Sequence, residues 1–135
     1  MHNTRRGSIN CFLPYKIYKA FMHELSIANS VLSIAEKAAP AANDGTVSAV
    51  NLQIGALSGI ETDALTFAFS VIREDTLLKH AVLNIEIIPG EAACLQCALV
   101  FAIEGYSSAC PQCGSNAIRI QKGKELKVIS LTVEE

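Results

Sequence analysis

The chain has 135 residues, half of them hydrophobic, and a formal net charge of -2. This length suits one domain with its own core and a small satellite module, because domains cluster at roughly 100–150 residues. No apolar run approaches the roughly 20 residues that span a bilayer, so no membrane association is expected. Residues 1–21 hold four cations and no acid, whereas the remaining residues hold seven cations and thirteen acids. An acidic body argues against a nucleic-acid partner.

The basic leader, residues 1–21, precedes the first periodic pattern. Apolar side chains then recur every three or four residues, namely Leu25, Ala28, Leu32, Ala35 and Ala38. This spacing predicts an amphipathic helix that ends near Pro40. Val50, Leu52 and Ile54 alternate with polar residues and predict a half-buried strand.

A second helix and further strands are predicted downstream. Thr62 is the candidate N-cap of the helix, whose apolar stripe comprises Leu65, Ala68, Phe69 and Ile72. Two alternating runs predict strands, the second of which should return to the main sheet: Leu83, Ile85 and Ile87, and then Ile129, Leu131 and Val133. Short strands are expected at residues 100–103 and 118–121.

Four of the five cysteines form two Cys-x2-Cys pairs, Cys94 with Cys97 and Cys110 with Cys113. The apolar run of the leader is too short for the core of a signal peptide, so we expect the protein to be located in the cytoplasm. In that reducing compartment, two Cys-x2-Cys pairs favour metal binding over disulfides. Four thiolates suit tetrahedral Zn(II) and leave no open position for substrate, which predicts a structural site. The alternative is that the cysteines form two unrelated thiol pairs or a redox-active Cys-x2-Cys motif.

Three motifs in order resemble the HypA/HybF family of nickel-insertion proteins. They are the start MHELSI at residues 22–27, the segment IGALSGIE at residues 54–61, and the two cysteine pairs. The resemblance covers residues 22–135.

The resemblance implies an α+β fold in which two helices lie on a small three-stranded mixed sheet. This nickel domain would comprise residues 22–90 and 122–135, with a zinc-ribbon domain inserted at residues 91–121. It also implies a nickel metallochaperone, not an enzyme, that delivers Ni(II) to the large subunit of NiFe hydrogenase with a HypB-type GTPase. Urease maturation proteins are further possible partners, and the state could be monomer or homodimer.

The family's nickel site falls here on Met22, His23 and Glu24. An α-amine, backbone amides and an imidazole supply the nitrogen ligands that Ni(II) favours. In this chain the leader converts the Met22 amine into an amide. Three accounts stay open: translation starts at Met22, the leader is removed, or the site lacks its amine. The leader itself is expected to be disordered or a start-site artefact, although His2 could offer a similar ligand set by coincidence.

The two alternative functions are a zinc-ribbon adaptor and an enzyme. A zinc-ribbon adaptor that binds protein without metal cargo would explain the cysteines alone. For an enzyme we find neither a nucleophile with a base nor a phosphate-binding loop. His80, far from any ligand-like neighbour in sequence, is expected to be a surface residue.

Overall fold

The computed structural model describes residues 8–16, 24–38, 46–106 and 108–134. Its elements are, in chain order, β1 (Ser8–Lys16), α1 (Glu24–Ala38), β2 (Thr46–Gly55), α2 (Thr62–Ile72), β3 (Val82–Ile88), β4 (Gly90–Cys94), β5 (Val100–Ile103), β6 (Ile118–Lys122) and β7 (Leu126–Glu134). Among the described residues, no helix is long and apolar enough to cross a membrane.

The main sheet has the strand order β1-β7-β2-β3. β2 and β3 are parallel and are connected through α2, whereas β7 runs antiparallel to β2 and to β1. Such a parallel pair needs a crossover connection, which the helix provides. The prediction of two helices on a mixed sheet is confirmed, and strands β7, β2 and β3 are the three that it anticipated.

One face of the sheet carries both helices and the hydrophobic core. The core includes Ile27 and Val31 of α1, Leu65 of α2 and Val50 of β2, all of them at most 1% exposed. The opposite face is polar and hydrogen-bonded across strands. There Asn51 Nδ2 donates to Ser130 Oγ at 2.9 Å.

The buried stripe of α1 is offset from the prediction. Ala28 and Ala35 are buried as expected, but Leu25 is 52% exposed and Ile27 and Val31 take the central positions. The i, i+3, i+4 spacing fits both stripes, because α1 is apolar over more than one face. Ile27 and Val31, whose β-branched side chains are larger than alanine, are the residues of this helix that pack at the centre of the core.

α2 begins at Thr62, and Glu61 is its N-cap, without a side-chain hydrogen bond. The prediction of Thr62 as N-cap was therefore wrong by one residue. Leu65, Ala68 and Phe69 are buried, as predicted. The first intrahelical bond runs from the N–H of Leu65 to the carbonyl of Glu61 at 3.0 Å.

The alternation predicted for the last strand changes phase inside β7. The register against β2 shifts between Asn51 and Leu52, so that Ile129 lies in a bulge between Val128 and Ser130. Leu131 and Val133 are buried as predicted, whereas Val128 is buried in place of Ile129. An extra residue in one strand reverses the side-chain alternation beyond it, which a strict period of two cannot predict.

The leader contributes a strand, although we predicted disorder for it. β1 pairs antiparallel with β7, with Ile9 opposite Val133 and Phe12 opposite Ser130. Pro14 lies within a register shift of this pairing, at the edge of the sheet, where a missing N–H is tolerated. That proline masked the strand pattern in the sequence. The rest of the leader lies outside the described residues.

The ribbon module, β4 to β6 with the cysteine turns, is inserted between β3 and β7 as predicted. Its three antiparallel strands have the order β5-β4-β6. The expected short strands are both present, β6 being one residue longer than predicted. Its small core contains Ala92 and Ile103 together with Leu57, which belongs to the loop after β2.

Candidate metal centre

The first cysteine pair lies in a tight turn after β4. The N–H groups of Gln96 and Cys97 point at Cys94 Sγ, at 3.3 and 3.4 Å from nitrogen to sulfur. Ala98 donates its N–H to the carbonyl of Cys94 at 3.0 Å and has a φ of 67°. The turn thus directs backbone donors at one sulfur while the chain reverses.

The second cysteine pair forms the same kind of turn, with the equivalent hydrogen bonds. The N–H groups of Gln112 and Cys113 lie 3.4 and 3.5 Å from Cys110 Sγ. Gly114 donates to the carbonyl of Cys110 at 2.9 Å with a φ of 75°. Two matching turns face each other, which is what two Cys-x2-Cys pairs need in order to share one ion.

The four sulfur atoms converge. Cys94 Sγ lies 3.5 Å from Cys113 Sγ, and Cys97 Sγ lies 3.6 Å from Cys110 Sγ. All four sulfurs lie within 4.8 Å of one another. A tetrahedral ion with metal–sulfur bonds of about 2.3 Å requires sulfur–sulfur separations of about 3.8 Å. The four predicted cysteines therefore form a cluster that could hold one metal ion, and all four are free thiols.

The four thiols differ in pKa, and the backbone N–H donors contribute to this difference. The N–H of Cys97 lowers the pKa of the Cys94 thiol to about 6, against the opposing effect of burial. The N–H of Cys113 likewise lowers the pKa of Cys110. For Cys97 the N–H of Leu99 acts in the same direction, but burial and the Cys110 thiol outweigh it and raise the pKa to about 12. A cation among the sulfurs would stabilise all four thiolates.

Replacing Ala98 by glycine is expected to strengthen the site by about 1 kcal/mol, because an L residue at positive φ carries a steric cost that glycine lacks. Gly114→Ala should weaken it by a similar amount, since a Cβ there meets no atom within 4 Å and only the φ of 75° opposes it. Competition with a chromophoric chelator measures both metal affinities. Equal affinities for the two variants and the parent would contradict the prediction.

The loop after β2, residues 56–61, joins the main sheet to the ribbon module. Leu57 is 7% exposed and packs in the ribbon core, and its N–H donates to the carbonyl of Gly123 at 2.7 Å. Tyr106 Oη donates to the carbonyl of Leu57 at 2.7 Å, and Lys124 Nζ lies 5.6 Å from the Tyr106 ring centroid. The loop is therefore held from the ribbon side by both its backbone and its side chain.

Truncating Leu57 to alanine is expected to cost about 2–3 kcal/mol, because the side chain fills a small core that has little else to bury. Leu95→Ala is the matched control, since Leu95 lies in the ribbon module but is 61% exposed, and surface truncations change stability by about 0.5 kcal/mol or less. Urea unfolding of the metal-loaded protein compares the two. Equal losses would show that Leu57 does not anchor the module.

At its other end the same loop reaches the start of α1. The N–H of Glu61 donates to Glu24 Oε2 at 3.2 Å, so that the first residue of α1 lies beside the N-cap of α2. A carboxylate at this place is favourable, because helix N-termini carry a partial positive charge. Met22 and His23 lie outside the described residues. Of the three predicted nickel residues, the structure therefore describes Glu24 alone.

The sequence alone did not indicate what the loop after β2 contacts. The segment IGALSGIE served only as a family mark, and its contact with the ribbon module was not predicted. The available signal in the sequence was a leucine between two glycines of a predicted loop. His80 is exposed, as expected.

The fold and the cysteine cluster define a small two-module metal-binding protein. A family model described as "Hydrogenase/urease nickel incorporation, metallochaperone, hypA" matches residues 22–133. The hydrogenase maturation factor HypA of Geobacter metallireducens is 45% identical over 113 residues, which cover 84% of this chain and the whole of the relative. That of Geobacter sulfurreducens is 41% identical over the same coverage.

Solved structures agree with this assignment. The Ni metallochaperone HypA from Helicobacter pylori aligns with a TM-score of 0.58 and 29% identity, covering 82% of this chain and 96% of that one. A second solved HypA protein aligns with a TM-score of 0.63 and 28% identity, covering 83% and 96%. The chain belongs to the HypA family, whose members are metallochaperones and not enzymes.

Proposed function

We propose that the chain is a nickel metallochaperone that binds Ni(II) at Met22, His23 and Glu24 and delivers it to the large subunit of NiFe hydrogenase. The observation that carries this proposal is the family match, which begins at Met22, where the candidate ligands lie. An α-amine, deprotonated backbone amides and the His23 imidazole give the square-planar nitrogen field that Ni(II) prefers. Nickel is cargo in this proposal.

The resident metal is proposed to be Zn(II), held by Cys94, Cys97, Cys110 and Cys113. The donor set supports it, because four thiolates with near-tetrahedral sulfur spacing suit zinc and leave no position for water or substrate. When bound, the ion supplies folding free energy to the ribbon module. The module's own residues hold the loop that contains Leu57, while the backbone N–H groups of both turns orient the sulfurs.

Glu24 is proposed to act through two groups. Its backbone amide is a candidate nickel ligand next to His23. Its carboxylate accepts the N–H of Glu61, which supports the proposal that this side chain fixes the start of α1 relative to the loop after β2. Holding the first turn of α1 would restrict the positions of the ligands just before it, which lowers the entropy cost of binding a metal with strict geometry.

The working partners are proposed to be a HypB-type GTPase, the hydrogenase large subunit and, where urease is present, its maturation proteins. The names of the relatives support a role in hydrogenase maturation. A cytoplasmic location fits four free thiols, because reducing conditions keep them available for metal. The nickel-competent form is proposed to begin at Met22, whether by translation or by removal of the leader.

The chain beginning at Met22 is expected to bind one Ni(II) beyond its zinc, and the chain beginning at Met1 to bind it more weakly, because the amide at Met22 lacks the basic amine. Native mass spectrometry during a nickel titration measures both. His23→Ala should abolish the binding of the shorter chain. His2→Ala in the longer chain reports any site formed by Met1 and His2.

If the shorter chain binds no nickel, the metallochaperone assignment of this site fails. A protein that keeps its zinc but takes no nickel would then act as an adaptor through the ribbon module. If His23→Ala leaves nickel binding unchanged, the cargo site lies elsewhere in the chain. Mass and metal content together distinguish these results, because each metal adds its own mass.

A further inference from the structure

The strand in the leader pairs with a part of the sheet that belongs to the family's own span. β1 covers residues 8–16, and the family match covers residues 22–133. Within that span β7 would be the last strand of the sheet, because the order is β1-β7-β2-β3. Seven registered residue pairs connect β1 to β7, from Ser8 opposite Glu134 to Lys16 opposite Lys127.

β7 lacks most features that protect an exposed sheet edge. Its nine residues, LKVISLTVE, include no proline or glycine and only two charged side chains, Lys127 and Glu134. Protected edges are short, charged, bulged or interrupted by proline, because unpaired N–H and C=O groups invite another strand. The bulge at Ile129 does not prevent pairing, since Phe12 and Tyr15 of β1 pair on either side of it.

β1 has the features that β7 lacks. Pro14 lies in its register shift, and Lys16 ends it. These are marks of an outer strand. In this chain, therefore, the leader provides the edge and β7 is an interior strand.

We propose that the outer edge of β7 is a strand-addition site, filled within the same chain by β1. When β1 is absent or displaced, the β7 strand of a second copy occupies the site. β1 runs antiparallel to β7, which is also the direction that a second β7 takes across a two-fold axis. The pairing is self-complementary, so it closes as a dimer with one continuous sheet, and it needs no partner of different chemistry.

Cutting the leader in the folded protein tests this directly. A protease site inserted between Lys19 and Ala20 of the full chain allows the cut to be made after folding. The uncut chain should sediment as a monomer over a concentration series. The cut chain should release its leader and dimerise with at least about tenfold higher affinity than the uncut chain. Excess synthetic peptide of residues 8–16 should restore the monomer.

Proline substitutions supply a second test in the uncut chain. Ile9 and Phe12 occupy odd and even positions of β1, so at least one of their two N–H groups faces β7. Ile9→Pro with Phe12→Pro should therefore release β1 and give the dimer. Asn3→Pro, which precedes the strand, is the matched control and should leave the monomer. The peptide carrying both prolines should fail to compete with the second copy.

Hydrogen exchange of the β7 amides identifies the interface. In the cut chain the outward-facing amides should exchange fast when dilute and slowly when concentrated. The proposal is overturned if the cut chain stays monomeric after losing the leader, even if it rebinds the peptide. It is also overturned if the uncut chain dimerises equally well, or if a dimer forms while the β7 amides stay unprotected.

Discussion

Chelation of the bound metal is expected to unfold the ribbon module and leave the two helices folded. The ribbon core has three buried hydrophobic residues, Leu57, Ala92 and Ile103, whereas the core under the helices draws on none of the ribbon strands. Structural zinc contributes roughly 10–16 kcal/mol of apparent binding free energy to small modules, which this core cannot replace. Heteronuclear NMR should show loss of dispersed signals from β4, β5 and β6, and circular dichroism should retain the helical signal.

Cys110→Ser should reproduce the effect of chelation, because it removes one of four ligands from a buried position. Cys11→Ser is the matched control, since Cys11 belongs to neither Cys-x2-Cys pair and lies in β1 opposite Leu131. Its metal content should equal that of the parent. A ribbon that stays folded in Cys110→Ser without metal would show that the ion is not its main source of stability.

Gly55→Ala is expected to destabilise the protein by about 3 kcal/mol or more. A Cβ on Gly55 would lie 2.0 Å from the carbonyl oxygen of Gly123, a backbone atom that no side-chain rotation can move. The N–H of Gly55 also donates to the carbonyl of Glu125 at 2.7 Å, so relieving the overlap would separate β2 from the start of β7. Overpacking that shifts backbone typically costs about 1–3 kcal/mol, and this contact is closer than most. Urea unfolding of the metal-loaded protein measures the loss of stability.

Substitutions of two other glycines distinguish the effect of steric overlap from the effect of backbone conformation. Gly105→Ala meets no atom within 4 Å and should change stability by about 0.5 kcal/mol or less. A Cβ at Gly114 also meets no atom within 4 Å, but this residue has a positive φ. The loss of stability in Gly114→Ala should therefore come from backbone strain alone. If Gly55→Ala proves as mild as Gly105→Ala, Gly55 does not pack against the connection between β6 and β7 in solution.

The cysteine cluster could be predicted from the sequence because its signal is local. Two residues between paired cysteines determine how a turn presents sulfur, and Cys94, Cys97, Cys110 and Cys113 meet as the spacing requires. Helix and strand types were predictable for the same reason, since periodicity is a property of one segment. What a segment faces is not local, and for that reason Leu25 was assigned to the core although it lies at the surface.

The missed features depend on neighbours that are distant in sequence. β1 is too weakly patterned to be recognised alone, and its pairing with β7 defines it. Ile129 has the right side chain for the core but lies in a bulge whose position depends on pairing with Asn51 and Leu52. The burial of Leu57 depends on the ribbon module, which comes later in the chain.

β7 follows the other strands of the main sheet in the chain, yet it lies inside that sheet. It lies between β1 and β2, so neither of these two strands is fully paired until β7 has been made. The ribbon module, by contrast, is contiguous in sequence and can fold around its metal first. Its folding shortens the effective loop between β3 and β7 and lowers the entropy cost of closing the sheet. The supply of the ribbon's metal during translation would therefore affect how long newly made chains expose the unfinished sheet.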